Sequence, residues 1–252
     1  MECPTHLHDC LYELDRVVAL LKSTRSELEQ ARDQQRQFAA DASHELRTPV
    51  TGLRTQLEEA QLHPGETALP ELLDHALADI NRLQQIINDL LLLVHLESGV
   101  TTEEEPLDLA ELVRTQVDQR QDAIEVKLRL DRGVTVNAVH SLIARLSTNL
   151  LDNAQRHATH TVEAEVCHHD GSAQMAITDD GQGVAAPDRE RIFEMFSRLD
   201  TARDRDRGGI GLGLAIARDI AVAHGGTLVV DQAPCGGARF VLRLPLADPG
   251  PA

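Results

Sequence analysis

Apolar residues recur every three or four positions through the opening part of the chain, which is the spacing of an amphipathic helix. From about residue 11 to residue 62 this pattern predicts one long, interrupted helix. Pro49 lacks a backbone N–H, and we expect the helix to bend there. The clearest apolar stripe comprises Phe38, Ala42, Leu46, Pro49, Leu53 and Leu57.

A second helix is predicted after a turn at residues 63–67. Its seam keeps an unbroken heptad spacing, which predicts a helix that runs antiparallel to the first. Two helices with one apolar stripe each leave a core incomplete, so we expect a homodimer in which two hairpins form a four-helix bundle. The seam comprises Leu69, Leu73, Ala76, Ile80, Leu83, Ile87, Leu90 and Val94.

The pattern changes after Ser98-Gly99 and the acidic run at 103–105, where we expect a domain boundary. The remainder predicts helices on one face of a mixed sheet, an α+β sandwich. Its helices are expected at 107–119, 142–156 and 212–224, and its strands at 124–130, 134–136, 161–167, 173–179, 227–230 and 238–244. The predicted domains are an N-terminal helix at 1–35, a helical hairpin at 36–98, the sandwich at 105–246 and a tail at 247–252.

The composition excludes several classes of partner. The formal net charge is -17, from 24 Lys+Arg against 41 Asp+Glu, so we expect neither nucleic-acid binding nor direct membrane contact. The four cysteines form no disulfide framework, which favours a cytoplasmic location. The longest apolar run falls short of the ~20 residues that cross a bilayer, and we expect the chain as given to be soluble.

The exposed side of the first helix carries a candidate chemical site. His44 lies two positions from both Ala42 and Leu46, so it should face water. Glu45 and Thr48 lie beside it and one turn further on, which offers an imidazole, a carboxylate and a hydroxyl together. On the helix pattern alone, a solvated surface histidine is the commoner explanation. The string from residue 41 to residue 49, Asp-Ala-Ser-His-Glu-Leu-Arg-Thr-Pro, resembles the phospho-acceptor box of sensor histidine kinases.

Two polar motifs in the sandwich suggest a nucleotide site. Asn149 and Asn153 share one helix face, and amide oxygens suit Mg²⁺ held together with phosphates, which Arg156 could reach. Asp179 ends a predicted strand and is followed by Gly181 and Gly183, so a ligand could approach the backbone while the carboxylate accepts a hydrogen bond from adenine. Taken alone, the first motif could be a surface feature and the second a simple turn.

A third motif, Gly208-Gly-Ile-Gly-Leu-Gly213, precedes an apolar helix, where exposed N–H groups favour an anion. It matches neither a dinucleotide fingerprint nor a Walker loop. The polar run at 200–207 predicts a mobile loop whose arginines could close over phosphates, or a solvated loop whose charges merely cancel.

In this order, the motifs strongly resemble the asparagine, first glycine, phenylalanine, lid and second glycine boxes of the histidine-kinase ATP-binding domain, a Bergerat-type fold. Together with the phospho-acceptor box, the resemblance covers roughly residues 10 to 246. It implies that His44 accepts a phosphoryl group from ATP, that Glu45 takes the ring proton, and that Thr48 positions water in a phosphatase reaction. It also implies that Asn149 and Asn153 hold Mg²⁺ and phosphates, and that Asp179 recognises adenine.

The resemblance to the same boxes implies further residues that contact the nucleotide. They are Arg156, His157, Gly181, Gly183, Phe193, Arg198, Gly209, Gly211, Leu212 and Gly213, with Asn153 as the metal ligand. Departures from the usual pattern are the Arg156-His157 pair after the asparagine box, Gln182 where proline is frequent, and a short stretch between Val117 and Val134.

The resemblance implies an ATP-dependent protein histidine kinase that passes its phosphoryl group to an aspartate on the receiver domain of a separate response regulator. A degenerate ATP-binding dimer that signals without phosphotransfer is the alternative, and a phosphatase-dominated enzyme is a third hypothesis. The acidic charge disfavours a topoisomerase-type ATPase.

Two groups of residues near the start of the chain each allow two interpretations. Residues 12–28 resemble the second helix of a HAMP signal-relay domain, which would make the chain the cytoplasmic part of a membrane sensor, or they form a plain coiled-coil lead-in. Cys3, His6, His8 and Cys10 could ligate zinc, although a disordered or truncated end is the simpler explanation.

Overall fold

The computed structural model describes residues 5–64, 68–97, 103–197, 211–234 and 236–247. The chain forms two compact units, Met1–Leu83 and Gln84–Ala252, and each is described by itself. Most of the predicted turn at 63–67, the first part of the predicted boundary, at 98–102, and the polar run at 200–207 lie outside the described residues. The zinc hypothesis also rests partly on residues outside that range.

The first helix, α1, is Thr5–Leu62 and contains Pro49 within it. The predicted interruption is wrong, because the helix continues through the proline, which removes a single hydrogen bond from a long helix. Ala42 and Pro49 are buried as expected, whereas Leu57 is 50% exposed. The half-buried positions beyond Pro49 are Leu53, Gln56 and Ala60, since 3.6 residues per turn carries the buried face past Leu57.

The second helix, α2, is Leu69–Glu97. Arg82 of α2 approaches Glu45 of α1 with 3.9 Å between Nη2 and Oε2, and Asp79 lies beside Gly52. These two pairs run in opposite directions along the helices, so the predicted antiparallel hairpin is present. The predicted seam divides between two faces: Ala76, Leu83 and Leu90 are half-buried, whereas Leu69, Leu73, Ile80, Ile87 and Val94 are exposed in the single chain.

The second unit contains the predicted sandwich. Five strands form one sheet in the order β2-β4-β5-β7-β6, in which β2 is parallel to β4 and the other pairs are antiparallel. A smaller sheet pairs β1 with β3. The elements are β1 Glu105–Asp108, α3 Leu109–Asp118, β2 Val126–Leu130, β3 Thr135–Ala138, α4 His140–His157, β4 Val162–His169, β5 Ser172–Asp179, α5 Gly213–Ala223, β6 Thr227–Gln232 and β7 Ala238–Pro245.

The core lies between the helices and one face of the large sheet. In β4, Val162, Ala164 and Val166 are fully buried, whereas Glu163 and Glu165 on the other face are only half-buried. Alternation of this kind means that one face of the sheet is covered and the other meets solvent. Several side chains from α4 and α5 are fully buried over the covered face, among them Ile143, Leu146, Leu150, Leu151, Ile216 and Ile220.

The start of the sandwich differs from the sequence prediction. Residues 105–108 form strand β1, so the predicted helix start at Leu107 is wrong. Asp108 ends the strand and caps α3, because its carboxylate accepts hydrogen bonds from the N–H groups of Ala110 and Glu111. Two 3₁₀ turns that the sequence pattern does not indicate, Ala186–Asp188 and Arg191–Phe193, follow β5.

Within the second unit, the last part of α2 is joined to α4 by an ion pair between Asp89 and Arg145. The Asp89 side chain is only 5% exposed. Burial raises the pKa of this carboxyl above its ordinary value, and the charge and hydrogen bond of Arg145 oppose that rise. Arg145 therefore offsets the cost of placing a carboxylate in a dry environment.

We expect the Arg145→Ala variant to lose about 1 kcal/mol of unfolding free energy near neutral pH, a figure discounted for the partial exposure of the arginine. A raised pKa in the folded state means that protonation of Asp89 favours folding, so the loss should shrink as the pH falls through that raised pKa. Chemical denaturation at about pH 8 and about pH 5 measures both effects. The matched control is Arg129→Ala, which removes an exposed arginine paired with Glu163 and should cost little at either pH.

Candidate functional site

The centre of the candidate nucleotide site is Asp179, the last residue of β5. Its carboxyl is buried, and its Oδ1 accepts hydrogen bonds from the backbone N–H groups of Gly181 at 2.9 Å and Ala238 at 3.3 Å. Burial raises the pKa of this carboxyl above its usual value, while the two N–H groups and the nearby His157 act in the opposite direction. The structure thus holds an acidic acceptor in a fixed orientation.

Glycine backbone surrounds Asp179 closely. A methyl group on Gly181 would overlap the carbonyl oxygen of His157, and one on Gly237 would overlap the carbonyl oxygen of Asp179. Gly183 has φ +71, and a methyl group there would lie 2.9 Å from the carbonyl oxygen of Gly236. These positions therefore require glycine, and together they let backbone and ligand approach the carboxylate without side chains between them.

The neighbouring carboxylate, Asp180, has a structural task. It accepts hydrogen bonds from the N–H groups of Thr159 at 2.8 Å and His160 at 3.0 Å. Those backbone donors lower the pKa of Asp180 to about 2. Asp180 thereby ties the loop after α4 to the end of β5, beside Asp179.

The asparagine motif and the second glycine motif meet in the structure. Asn149 on α4 donates from Nδ2 to the carbonyl oxygen of Gly213, the first residue of α5, at 2.9 Å. Asn153 lies one turn further along α4 and is half-buried. Arg156 and His157, at the end of the same helix, are exposed. The start of α5, where N–H groups favour anions, is therefore fixed against the helix that carries the asparagines.

The segment between the two glycine motifs is anchored by Phe193. Its buried ring makes an edge-to-face contact with Phe240, with 6.3 Å between centroids, and the guanidinium of Arg218 lies 5.1 Å from its centre. Gly211, with φ +80, accepts a hydrogen bond from the N–H of Phe196 at 2.9 Å. Leu212 is fully buried, so its contribution is to packing around the site. Arg198 and Gly209 lie outside the described residues.

The second candidate site lies on α1. His44, Arg47, Thr48, Thr51, Gly52, Thr55 and Gln56 line an open groove. His44 is exposed, and the Thr48 hydroxyl donates to the carbonyl oxygen of His44 at 3.2 Å. Glu45, in contrast, is half-buried and turned towards Arg82 of α2. The structure therefore brings His44 and Thr48 together in one groove, with Glu45 on the adjoining side of the helix.

Comparison with known protein families adds to this geometry. Residues 34–99 match the His Kinase A phospho-acceptor domain. Residues 138–248 match the ATPase family that is shared by histidine kinases, DNA gyrase B and HSP90. The chain belongs to the sensor histidine kinase family. Its helical hairpin and its mixed-sheet domain are the two parts expected of such a kinase.

Known kinases align over most of the chain. The sensor protein RstB of Escherichia coli is 37% identical over 218 residues, which are 84% of this chain and 49% of RstB. The histidine-protein kinase/phosphatase MprB of Mycobacterium ulcerans is 32% identical over 237 residues, which are 89% of this chain and 46% of MprB. The crystal structure of full-length ShkA in complex with AMPPNP is 27% identical, with a TM-score of 0.61, and the match covers 81% of this chain and 44% of ShkA.

This histidine kinase chain spans about half the length of the curated relatives that it matches. Within the described ranges, no helix has the length and hydrophobicity needed to cross a bilayer.

The polar side chains of the candidate nucleotide site suit a nucleotide that is bound together with Mg²⁺. Among the residues that the structure describes, no cluster of three or more His, Cys, Asp or Glu side chains could hold a metal by itself. Mg²⁺ bound to a nucleotide needs only one or two protein oxygens, because phosphates and water supply the others. The half-buried amide of Asn153 fits that requirement, and the glycine-lined Asp179 fits an adenine ring with its amino group.

Sequence reasoning missed four contributors to these sites: Asp180, Gly237, Ala238 and Arg82. Asp180 carried a usable signal, since Asp and Asn commonly accept hydrogen bonds from nearby backbone after strands. The pairing of Ala238 with Asp179 depends on how β7 lies beside β5, which no local pattern reveals. Arg82 occupies a helical position that looks like any exposed charge until the second helix is placed beside it.

Proposed function

We propose that this chain is an ATP-dependent protein histidine kinase that phosphorylates itself on His44. The observation that carries the proposal is the glycine-lined, buried Asp179 on the same chain as an exposed histidine in a groove with Thr48. An adenine site and a nucleophilic imidazole are the two parts that a histidine autokinase needs. Family membership and the AMPPNP bound in the ShkA structure support ATP as the phosphoryl donor.

Nucleotide binding divides among the motifs of the second unit. Asp179 accepts a hydrogen bond from the adenine amino group. Gly211 and Gly213 allow the phosphates to approach the start of α5, where backbone N–H groups and the helix dipole stabilise negative charge. Asn153 would hold Mg²⁺, and the hydrogen bond from Asn149 to the carbonyl oxygen of Gly213 fixes α4 against α5. Bound Mg²⁺ would neutralise negative charge on the phosphates.

Phosphoryl transfer needs positioning more than covalent assistance. An unprotonated ring nitrogen of His44 attacks the γ-phosphorus with its lone pair, and the bond to the bridging oxygen breaks so that ADP leaves with the electron pair. Glu45 accepts the proton from the other ring nitrogen, which leaves neutral phosphohistidine. His44 is exposed, so both the nucleotide and a later acceptor can reach it.

The acceptor downstream is an aspartate on the receiver domain of a separate response regulator. We assign its docking to the groove around His44, because that groove gives access to the phosphorylated ring. Thr48 supports a phosphatase reaction on the same partner. The Thr48 hydroxyl donates its hydrogen to the carbonyl oxygen of His44, so the Thr48 oxygen is oriented to accept a hydrogen bond from an attacking water. The kinase/phosphatase name of the relative MprB is in keeping with both directions.

The kinase functions as a homodimer in this proposal. One face of α2 presents a continuous apolar stripe that is between 40% and 61% exposed in the single chain. Apolar stripes of this length are rarely left in water, and a second hairpin would cover it as a four-helix bundle. We also infer a cytoplasmic location, since ATP is the substrate. The stripe comprises Leu69, Leu73, Leu77, Ile80, Ile87, Leu91 and Val94.

Labelling tests the proposed function. The purified chain is incubated with Mg²⁺ and either γ-labelled or α-labelled ATP, and the covalent label is then exposed to acid and to base. We expect label from the γ-position alone, lost in acid and retained in base, because a phosphorus–nitrogen bond hydrolyses when protonated. Absence of covalent label from a chain that still binds ATP would overturn the proposal and leave the ATP-binding dimer without phosphotransfer.

A further inference from the structure

Glu45 is half-buried and lies next to the exposed groove that contains His44 and Thr48. His44 and Glu45 are neighbours in sequence, but successive helical residues project about 100° apart. The Glu45 side chain is 23% exposed and lies on the side of α1 that meets α2, away from open solvent. A long, flexible carboxylate in this position needs a partner if it is to keep one orientation.

Among the described residues, Arg82 of α2 is the cation that approaches Glu45. Its Nη2 lies 3.9 Å from Glu45 Oε2, and both residues belong to the same compact unit. Arg82 follows Asp79 by one helical turn, and Asp79 lies beside Gly52, so the antiparallel packing of the hairpin sets Arg82 at the level of Glu45. The contact therefore follows from the fold of the hairpin and is not a chance meeting of surface chains.

The acidic surroundings make a cation at this level important. Asp41 precedes Glu45 by one turn on α1, where like charges four residues apart repel. Asp41 accepts hydrogen bonds from Gln37 Nε2 at both of its oxygens, at 3.0 and 2.9 Å. Arg82 is the cation that approaches Glu45, the carboxylate that directly follows His44.

The distance between Arg82 and Glu45 suits a residue that orients the carboxylate without a hydrogen bond to it. On an exposed side of α1, Arg54 and Glu58 form a close pair at 2.6 Å, with side chains 77% and 56% exposed. At 3.9 Å, Arg82 attracts Glu45 without a direct hydrogen bond, so the carboxylate keeps lone pairs with which to accept the His44 proton.

We propose that Arg82 is a positioning residue that fixes the orientation of the Glu45 carboxylate, the group to which the His44 proton is assigned. The inference rests on the proposed function, because it assigns Arg82 a part in the transfer itself. The γ-phosphorus–oxygen bond breaks as the nitrogen–phosphorus bond forms, and the ring proton ends on Glu45. Arg82 takes no proton and contacts no substrate.

The test compares first-order rates of autophosphorylation at saturating ATP and the ATP concentration that gives half the maximal rate. General bases contribute about 10²–10⁴-fold, so loss of positioning in Arg82→Met should lower the rate roughly tenfold. Half-saturation should stay within about twofold of wild type, since nucleotide binding is assigned to the second unit. Arg82→Lys should recover most of the rate, because it restores a cation.

A double-mutant cycle separates positioning from packing. In a Glu45→Gln background, Arg82→Met should change the remaining rate by less than about twofold, since the group through which it acts is gone. Arg54→Ala is the matched control: it removes an arginine from an exposed pair on α1 and should leave the rate unchanged. Thermal unfolding of Arg82→Met should stay within about 2 °C of wild type.

The inference is overturned if Arg82→Met phosphorylates at the wild-type rate, if it slows both backgrounds equally, or if lysine restores nothing. Failure of the proposed function is a different result: the wild-type chain itself would then carry no phosphohistidine. A labelled wild type with an insensitive Arg82→Met variant refutes the role of Arg82 alone.

Discussion

The Asp179→Asn variant should bind ATP roughly 10- to 100-fold more weakly than wild type while retaining its fold. Asparagine keeps an Oδ1 that can accept from Gly181 and Ala238. It replaces the other carboxylate oxygen with an NH₂ donor, which cannot pair with the amino group of adenine. Isothermal titration with ATP measures the affinity, and thermal unfolding checks the fold.

A change of nucleotide supplies the control for Asp179→Asn. Inosine triphosphate carries a carbonyl oxygen where ATP carries the amino group, so it can accept from the new amide. We expect the ratio of ATP affinity to inosine triphosphate affinity to fall in the variant, with the phosphate contacts unchanged. Equal loss for both nucleotides, or wild-type binding of ATP, would show that Asp179 does not recognise the base.

The Gly181→Ala variant should lose nucleotide binding and about 2–3 kcal/mol of unfolding free energy, because its methyl group would overlap backbone that cannot rotate away. The obstacle is the carbonyl oxygen of His157, and the same methyl group would lie 3.0 Å from Asp179 Oδ1. Displacing either one moves the carboxylate or the end of α4. Calorimetric unfolding should give a melting temperature lower by roughly 5–10 °C.

Gly133→Ala is the matched control for this steric argument. Gly133 has φ +76 but nothing within 4 Å of an added methyl group, so alanine there costs only backbone strain, about 1 kcal/mol. It should bind ATP as wild type does. If Gly181→Ala also kept wild-type affinity, the close approach of backbone around Asp179 would have no part in binding.

Most secondary structure of the described sandwich could be predicted from local pattern. Periodicity and turn residues gave α4, β5 and β7 to within about two residues at most ends, since long periodic segments carry a strong signal. Strand β1 was missed because Glu105-Pro-Leu-Asp108 has neither alternation nor β-branched residues. It is a strand because β3 pairs with it, which is a tertiary cause.

Some residues of the candidate sites are likewise identified by a local motif, whereas others join a site only through tertiary contacts. Asp179 and the glycines after it are contiguous, so a motif identifies them. Gly237 and Ala238 join the site only because β7 lies beside β5. Spacing predicts Leu57 in the apolar stripe of α1, yet Leu57 is exposed, because the buried face of a straight helix advances with each turn. Arg82 acquires a partner only once α1 and α2 are antiparallel neighbours.

The location of the phosphoryl group decides whether His44 is the acceptor. After reaction with Mg²⁺ and ATP, the chain is digested at alkaline pH and the modified residue is identified by mass spectrometry. We expect phosphate on His44 alone among the 12 histidines, and none on His44→Gln, which should bind ATP as wild type does. The control His75→Gln, on an exposed position of α2, should be phosphorylated normally. Phosphate on another histidine, or undiminished phosphorylation of His44→Gln, would show that His44 is not the acceptor.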